Sequence, residues 1–407
     1  MTDRDSRTIT RVRLRNYKSI AACDVRLEPL TLLVGPNGAG KSNFLDALRF
    51  TSQALRFSLD HALRERGGIG DVRRRSRGHP NHFGIRLDLR LPAGEAAYAF
   101  SVGARPNGGY EVRSEECRVR SADPAHTAHF VTESGQITQS SMRDLPPLSQ
   151  RDRLYLLPAS SHAVFRPIYD VLSGMGFYNL DPGRIRDLQS SAPGDVLDGD
   201  GANLASIFGA LRSRHPASVK RIVRYLSVIV PGTVGVETKT LGPKLTLEFL
   251  QKVRGDEHAW RFLANNMSDG TLRAFGVLVA LFQGVGNSSL AARLVGIEEP
   301  ESALHPAAAE AVMDALQEAS ERIQIVATTY SADLLDHKAL KVESLLAVDQ
   351  ESGRTQIAPL GRKAREILHD GLSTPGELLR MDLLGPGASP PIRVGRQLDT
   401  HVEGAMA

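Results

Sequence analysis

The sequence predicts an α/β fold with a parallel-sheet core, and three observations carry that reading. Thr31-Leu32-Leu33-Val34 is a short apolar run that reads as a buried parallel strand. It runs into Gly35-Pro36-Asn37-Gly38-Ala39-Gly40-Lys41-Ser42, which fits the phosphate-binding pattern G-x-x-x-x-G-K-[ST], the Walker A loop. After the loop, Asn43 to Phe50 reads as a helix with Phe44, Leu45 and Leu48 on one face. Strand, glycine loop, helix is the unit that aims a helix N-terminus at phosphates, so the fold class is a P-loop NTPase.

The remaining elements follow in order. Residues 8–30 read as a hairpin leading into the nucleotide strand, and residues 44–66 as helix ending at Gly67-Gly68. From His82 to about Thr138 the pattern becomes a β-meander: Phe83, Ile85, Leu87 and Leu89 alternate with polar residues, and Asn107-Gly108-Gly109 makes a hairpin turn. Residues 160–228 read as largely helical, broken at Asp181-Pro182-Gly183 and at Ser191 to Gly194. Two strands are expected around Val234–Lys239 and Leu245–Phe249. The second half then alternates: a helix over Gly270–Gln283, a strand at Leu294–Ile297, an Ala-rich helix Pro306–Ser320 opened by proline, and a strand at Ile323–Ala327.

Composition narrows the function classes. The chain has 407 residues, room for a sizeable core. Its longest apolar run, Phe275 to Phe282, has the length of a core helix and not of a membrane span, and residues 1–5 show no signal-peptide pattern. Cys23 and Cys117 make no disulfide framework or zinc spacing. A cytoplasmic protein without membrane contact is expected. The net charge of +4 permits nucleic-acid binding without demonstrating it. Arg73-Arg74-Arg75-Ser76-Arg77, and Lys220 with Arg221 and Arg224 on one helix face, could contact phosphates or lie in solvated or ion-paired faces.

The chemistry concentrates in four segments. In the glycine loop, Gly35, Asn37, Gly38, Ala39 and Gly40 turn backbone N–H groups around phosphates with Pro36 part of the same loop, Lys41 reaches the β- and γ-phosphates of ATP, and the Ser42 hydroxyl holds magnesium. Leu294 to Ile297 ends in Glu298-Glu299-Pro300-Glu301, adjacent carboxylates at a strand end. Glu298 is assigned to the Mg2+ shell through water, and Glu299 to positioning or deprotonating the attacking water. Met267-Ser268-Asp269-Gly270-Thr271 precedes a helix and offers an anion site from the Ser268 hydroxyl and the Gly270 N–H, or an ordinary helix cap. Asp198-Gly199-Asp200 does not complete a calcium loop and reads as a turn feeding an Asn203 cap.

Taken in order, these segments resemble the ABC-type ATPase heads. Ser268 and Gly270 occupy places of the L-S-G-G-Q signature, with Asp269 departing from it. Ser302-Ala303-Leu304-His305-Pro306 is similar in position to the D-loop that crosses a dimer interface. Tyr330, in Thr328-Thr329-Tyr330-Ser331, stands where those ATPases usually carry a switch histidine. A phenol donates a hydrogen bond but does not become cationic near neutral pH. That puts the hydrolysis rate in question more than nucleotide binding. No Q-loop glutamine is identifiable among Gln53, Gln150 and Gln189.

Asn16-Tyr17-Lys18-Ser19-Ile20, Ser-Asp-Gly-Thr-Leu-Arg from Ser268 and Glu-Glu-Pro-Glu from Glu298 resemble the bacterial RecF-like and OLD-like ATPases, as do Arg66-Gly67-Gly68 and Gly376-Glu377-Leu378. The resemblance implies an ABC-type head with a β-rich lobe I and an inserted helical subdomain. It implies an ATPase domain over 1–345, with lobe I about 1–150, a helical and β insertion about 151–260, and lobe II about 261–345. An accessory segment 346–385 and a flexible tail 386–407 complete the chain. It also implies a homodimer on ATP binding, in which each signature closes the partner's site. Asn43 is expected by the α-phosphate, and Tyr17 and Lys18 along the adenine or phosphates. DNA, or an effector protein in trans, are the candidate partners, with links to DNA repair and phage defence. Two readings stand beside an ATP-hydrolysing switch: a slow-turnover DNA-binding clamp, and a regulatory ATPase for a separate effector. A transport ATPase is disfavoured by the long stretch from Lys41 to Ser268. Nuclease activity is rejected because no D-x-D pair follows Tyr330.

Overall fold

The computed structural model describes residues 8–76, 80–121, 123, 127–147, 150–191, 196–253, 255–284 and 292–387. In chain order its strands are β1 (Ile9–Tyr17), β2 (Ile20–Arg26), β3 (Leu30–Val34), β4 (His82–Leu91), β5 (Gly94–Ala104), β6 (Tyr110–Arg120), β7 (Ala128–Glu133), β8 (Gln136–Ser140), β9 (Gly176–Tyr178), β10 (Gln189–Ser190), β11 (Thr233–Leu241), β12 (Lys244–Lys252), β13 (Ala259–Leu263), β14 (Leu294–Glu298), β15 (Gln324–Thr329), β16 (Leu345–Glu351) and β17 (Arg354–Pro359). Thirteen of them form one sheet in the order β8-β7-β6-β5-β4-β1-β2-β17-β16-β3-β15-β14-β9; β10 to β13 form a second, small sheet.

The large sheet has two halves of different chemistry. From β8 to β2 it is an antiparallel wing built from hairpins. From β16 through β3, β15 and β14 to β9 every neighbour is parallel. Parallel strands are covered on both faces, and β3 is buried at all five positions. Its side chains alternate between two cores. Leu33 faces a cluster with Phe44 and Leu48 of the helix Lys41–Arg56. Leu32 and Val34 face a cluster with Phe275, Leu278 and Val312, from the helices Asp269–Phe282 and Pro306–Ser320. Five buried alanines on the second of these helices, Ala308, Ala309, Ala311, Ala315 and Ala319, let it pack closely.

Several boundaries differ from the sequence expectation. The helix expected over 44–66 breaks at Phe57, and Ser58 caps a new helix, Leu59–Arg64, by accepting from the His61 N–H at 3.0 Å. Within the stretch read as helical, Gly176–Tyr178 instead forms β9 at the sheet edge beside β14; three residues are too short to show a period. Asn203 does precede a helix, Leu204–Arg214, but its side chain bonds the Asp198 N–H and the Val196 carbonyl rather than capping. The largest difference follows residue 345. The segment 346–385, expected as an accessory, supplies most of β16 and all of β17, which join β3 to the antiparallel wing. Of the tail expected over 386–407, residues 388–407 lie outside the described residues, and the Gly387 N–H bonds the Pro359 carbonyl.

One buried acid ties the wing to the chain beyond it. Glu115 on β6 accepts from the Tyr98 hydroxyl (2.9 Å) and from the backbone N–H groups of Tyr155 (2.5 Å) and Leu156 (2.7 Å). Burial raises its pKa from 4.5 to about 7, against the pull of these donors. Because the folded value is the higher one, its contribution is complete below pH 4.5 and is lost as pH rises through 7. The loss is on the order of 3 kcal/mol. Melting curves at pH 5 and pH 8 should show the wild type losing more stability than Glu115→Gln over that interval; equal losses would remove Glu115 from the account.

Candidate nucleotide site

The site sits at the carboxyl ends of three adjacent parallel strands. Register places Leu33 of β3 beside Thr328 of β15, and Thr328 beside Glu298 of β14; Val34 pairs with Thr329. The glycine loop leaving β3, the segment leaving β15 and the acidic turn leaving β14 therefore meet at one level. This is where open α/β sheets bind ligands.

The loop turns back into the helix Lys41–Arg56 through Gly40, whose φ is 107°. A Cβ there would lie 2.2 Å from the Thr355 Oγ1, so only glycine fits. Pro36, Asn37 and Gly38 are exposed at the rim, while Gly35 and Ala39 are buried. Lys41 is buried, and its Nζ donates to the carbonyls of Gly35 (2.5 Å) and Pro36 (3.1 Å). Burial lowers its pKa, opposed by the charges of Glu299 and Glu301. Ser42 is exposed, and its hydroxyl donates to the Glu298 Oε2 at 2.6 Å. A serine oxygen and a carboxylate oxygen brought this close form a hard donor set suited to a magnesium-like cation.

Past Glu298 the chain turns sharply. Glu299 has a φ of 44°, the left-handed region that disfavours residues other than glycine. Its N–H is held by the Thr328 carbonyl (3.0 Å) and the Thr328 Oγ1 (3.2 Å). The next turn holds Ser302, whose N–H bonds the Glu299 carbonyl, and Ala303, also left-handed at 64°.

Ser268 caps the helix Asp269–Phe282 and accepts from the Thr271 N–H at 3.2 Å. Ser268 and Asp269 are exposed, and Asp269 pairs with Arg186 at 2.5 Å. Gly270 is buried, and a Cβ there would lie 2.3 Å from the Ala303 carbonyl, so the missing side chain lets the capped helix start sit against the Ser302 turn. Arg273, one turn on, donates to the Glu298 carbonyl (3.1 Å) and the Leu180 carbonyl (2.9 Å). Tyr330 is half exposed, and the Lys41 Nζ lies 5.7 Å from its ring centre.

The segments 30–123 and 236–336, which contain all of these motifs, match the family described as "AAA domain, putative AbiEii toxin, Type IV TA system". The DNA replication and repair protein RecF of Porphyromonas gingivalis is 53% identical over 45 residues, a match spanning 11% of this chain and 12% of that relative. An SMC head bound to the C-winged helix domain of ScpA superposes with a TM-score of 0.55 at 14% identity, covering 88% of this chain and 99% of that one. An SMC head with an extended coiled coil, bound to the C-terminal domain of ScpA derived from Pyrococcus furiosus, gives 0.55 at 13% identity, covering 90% and 100%. The fold is that of an ABC-type P-loop head, and the sequence matches support a RecF-like ATPase.

In this ABC-type head the structure redirects several residues. Tyr17 and Lys18 do not face the phosphate loop. The Tyr17 hydroxyl donates to the Asp46 Oδ2 (2.8 Å), the Lys18 Nζ pairs with the same oxygen (2.6 Å), and Arg66 closes on Asp46 at 2.7 Å. Asp46 on the Walker A helix thus gathers the motifs around Tyr17 and Arg66 into a brace behind the loop. Its pKa stays low despite burial, because Arg66 and Lys18 favour the charged form. The Asn43 amide donates to the Ser19 Oγ (2.7 Å). Gln53 accepts from Arg66, and Gln189 is buried on Ala205, Ile185 and Gly201. Arg221 and Arg224 pair with Glu318, Arg75 with Asp71, and Arg77 lies outside the described residues.

Three functional neighbours were not identified from sequence. Thr355 of β17 donates to the Ala39 carbonyl (2.7 Å) and bonds the Ser19 hydroxyl (2.7 Å), bracing the loop from far along the chain. Arg273 ties the helix capped by Ser268 to Glu298. Glu301 stands between Lys41 and the segment leaving β15. Only Glu301 had a local signal, its place in Glu298-Glu299-Pro300-Glu301.

Proposed function

We propose that this chain is a magnesium-dependent, ATP-hydrolysing switch that closes as a homodimer and couples turnover to DNA in the cytoplasm. The observation that carries the reading is the 2.6 Å contact between the Ser42 hydroxyl and Glu298, which joins the two Walker segments at one point. Ser42 and, through water, Glu298 would hold magnesium, which would supply neutralisation of the phosphate charge. Lys41 exchanges its own loop carbonyls for the β- and γ-phosphates of ATP. Glu299 accepts the proton of the attacking water. The exposed Ser268, with Gly270 and Ser302 beside it, faces the γ-phosphate bound by a second copy.

The DNA link is supported by the RecF match, a protein whose name places it in replication and repair, while the family description names a putative toxin of a type IV TA system, compatible with a role in phage defence. The SMC heads bound to ScpA domains make a partner protein in trans a compatible arrangement. A second reading, a clamp that turns over slowly, is favoured by Tyr330, which meets Lys41 with a neutral ring. Steady-state ATPase assays with Mg2+ or EDTA, with and without duplex DNA at two salt concentrations, separate the readings. The switch requires hydrolysis that EDTA abolishes and that DNA stimulates more strongly at low salt. ATP binding with negligible hydrolysis under every condition would select the clamp. Hydrolysis unaffected by EDTA would remove the metal assignment.

A further inference from the structure

We propose that Glu301 is a positioning residue that holds the Thr329-Tyr330 segment against Lys41, so that hydrolysis depends on it more than nucleotide binding does. The proposal rests on the reading of Lys41 and Tyr330 as facing the γ-phosphate. Strand β14 ends at Glu298, and the left-handed Glu299 and buried Pro300 turn the chain so that the Glu301 side chain returns toward the end of β15. There the Thr329 Oγ1 donates to the Glu301 Oε1 at 2.5 Å and accepts from the Ser331 N–H at 2.9 Å. Tyr330 is therefore bracketed between two residues tied to one hydroxyl, and that hydroxyl is tied to Glu301. The Tyr330 ring is half exposed, so its place near Lys41 is set by this backbone rather than by packing.

A carboxylate is a poor choice for filling this position. Burying one is costly unless it is paired, and the Glu301 Oε2 is buried without a hydrogen-bond partner. Burial raises the Glu301 pKa, opposed by the Thr329 hydroxyl, and the charge of Glu301 acts on Lys41 together with that of Glu299. One side chain thus touches the strand-end segment and the field around the phosphate-loop lysine. Losing it leaves the glycine loop intact and frees Tyr330 to drift.

Glu301→Ala and Thr329→Val each remove one side of the 2.5 Å contact. Each should lower single-turnover hydrolysis by about a hundredfold, the usual cost of a roughly 1 Å misplacement. Fluorescent-ATP affinity should stay within about threefold, and the double variant should be no slower than either single one, because both act through one contact. Thr329→Ser keeps the hydroxyl and should restore the rate. Wild-type rates in Thr329→Val, or losses that multiply in the double variant, would overturn the proposal. Loss of thermal stability in Glu301→Ala with an unchanged rate would reduce Glu301 to a structural role. If Lys41→Ala still bound ATP normally, the underlying site reading would fail instead.

Discussion

Glu299→Gln should stop turnover while leaving ATP bound. The substitution keeps the shape of the side chain and removes its ability to accept a proton. The backbone at this position is left-handed and held by two bonds to Thr328. Such a conformation costs about 1–3 kcal/mol and persists only where neighbours impose it. Glutamine does not disturb those neighbours, since both bonds are made by the backbone N–H. Proton transfer by a positioned base contributes about 10²–10⁴-fold. A fall in single-turnover hydrolysis of at least about a hundredfold is therefore expected, with ATP affinity changed by less than about threefold. Light scattering behind a sizing column should show the variant accumulating as an ATP-bound dimer. Hydrolysis at the wild-type rate would take the role of base away from Glu299.

The other large effect belongs to Lys41→Ala. Its ammonium lies in a buried seat and satisfies two loop carbonyls in this structure. A hydrogen bond to a charged group contributes about 1.5–3 kcal/mol, and about 1.4 kcal/mol is tenfold in affinity. Two such bonds to the phosphates predict an ATP affinity at least about a hundredfold weaker in a fluorescent-nucleotide titration. Affinity equal to wild type would show that the lysine does not reach the phosphates. The two variants fail in different steps, binding for Lys41 and chemistry for Glu299, so together they resolve the site into its parts.

What was legible in the sequence was local. The glycine loop with its flanking strand and helix, and the acidic strand end at Glu298, each lie within about twenty consecutive residues or fewer, whose types dictate their geometry. The helix Pro306–Ser320 announced its start with proline and matched its expected bounds. What escaped was made by distant segments. Strand β16 opens with a short apolar run and β17 mixes polar and apolar residues, and nothing in either shows that they join the nucleotide strand to the wing. Thr355 is one threonine among many until β17 brings it to the Ala39 carbonyl. Tyr17 and Lys18 were drawn toward the nucleotide by nearness in sequence to β3, but Asp46 on the helix captures both. Strand β9 was hidden by its length. The exposed Ser268 was legible as a helix cap, and the structure shows that cap geometry.

The central claim is that each ATP site needs two copies of this chain, and mixing two defective variants tests it most directly. Lys41→Ala should lose ATP at its own loop. Ser268→Arg should block the site of its partner and cost the fold only the cap, about 1 kcal/mol. Each variant alone should hydrolyse almost no ATP. Mixed in equal amounts, they should regain activity, because a mixed dimer contains one site with an intact Lys41 facing an intact Ser268. Activity that stays at the sum of the two separate variants, or full activity in Ser268→Arg alone, would contradict the account.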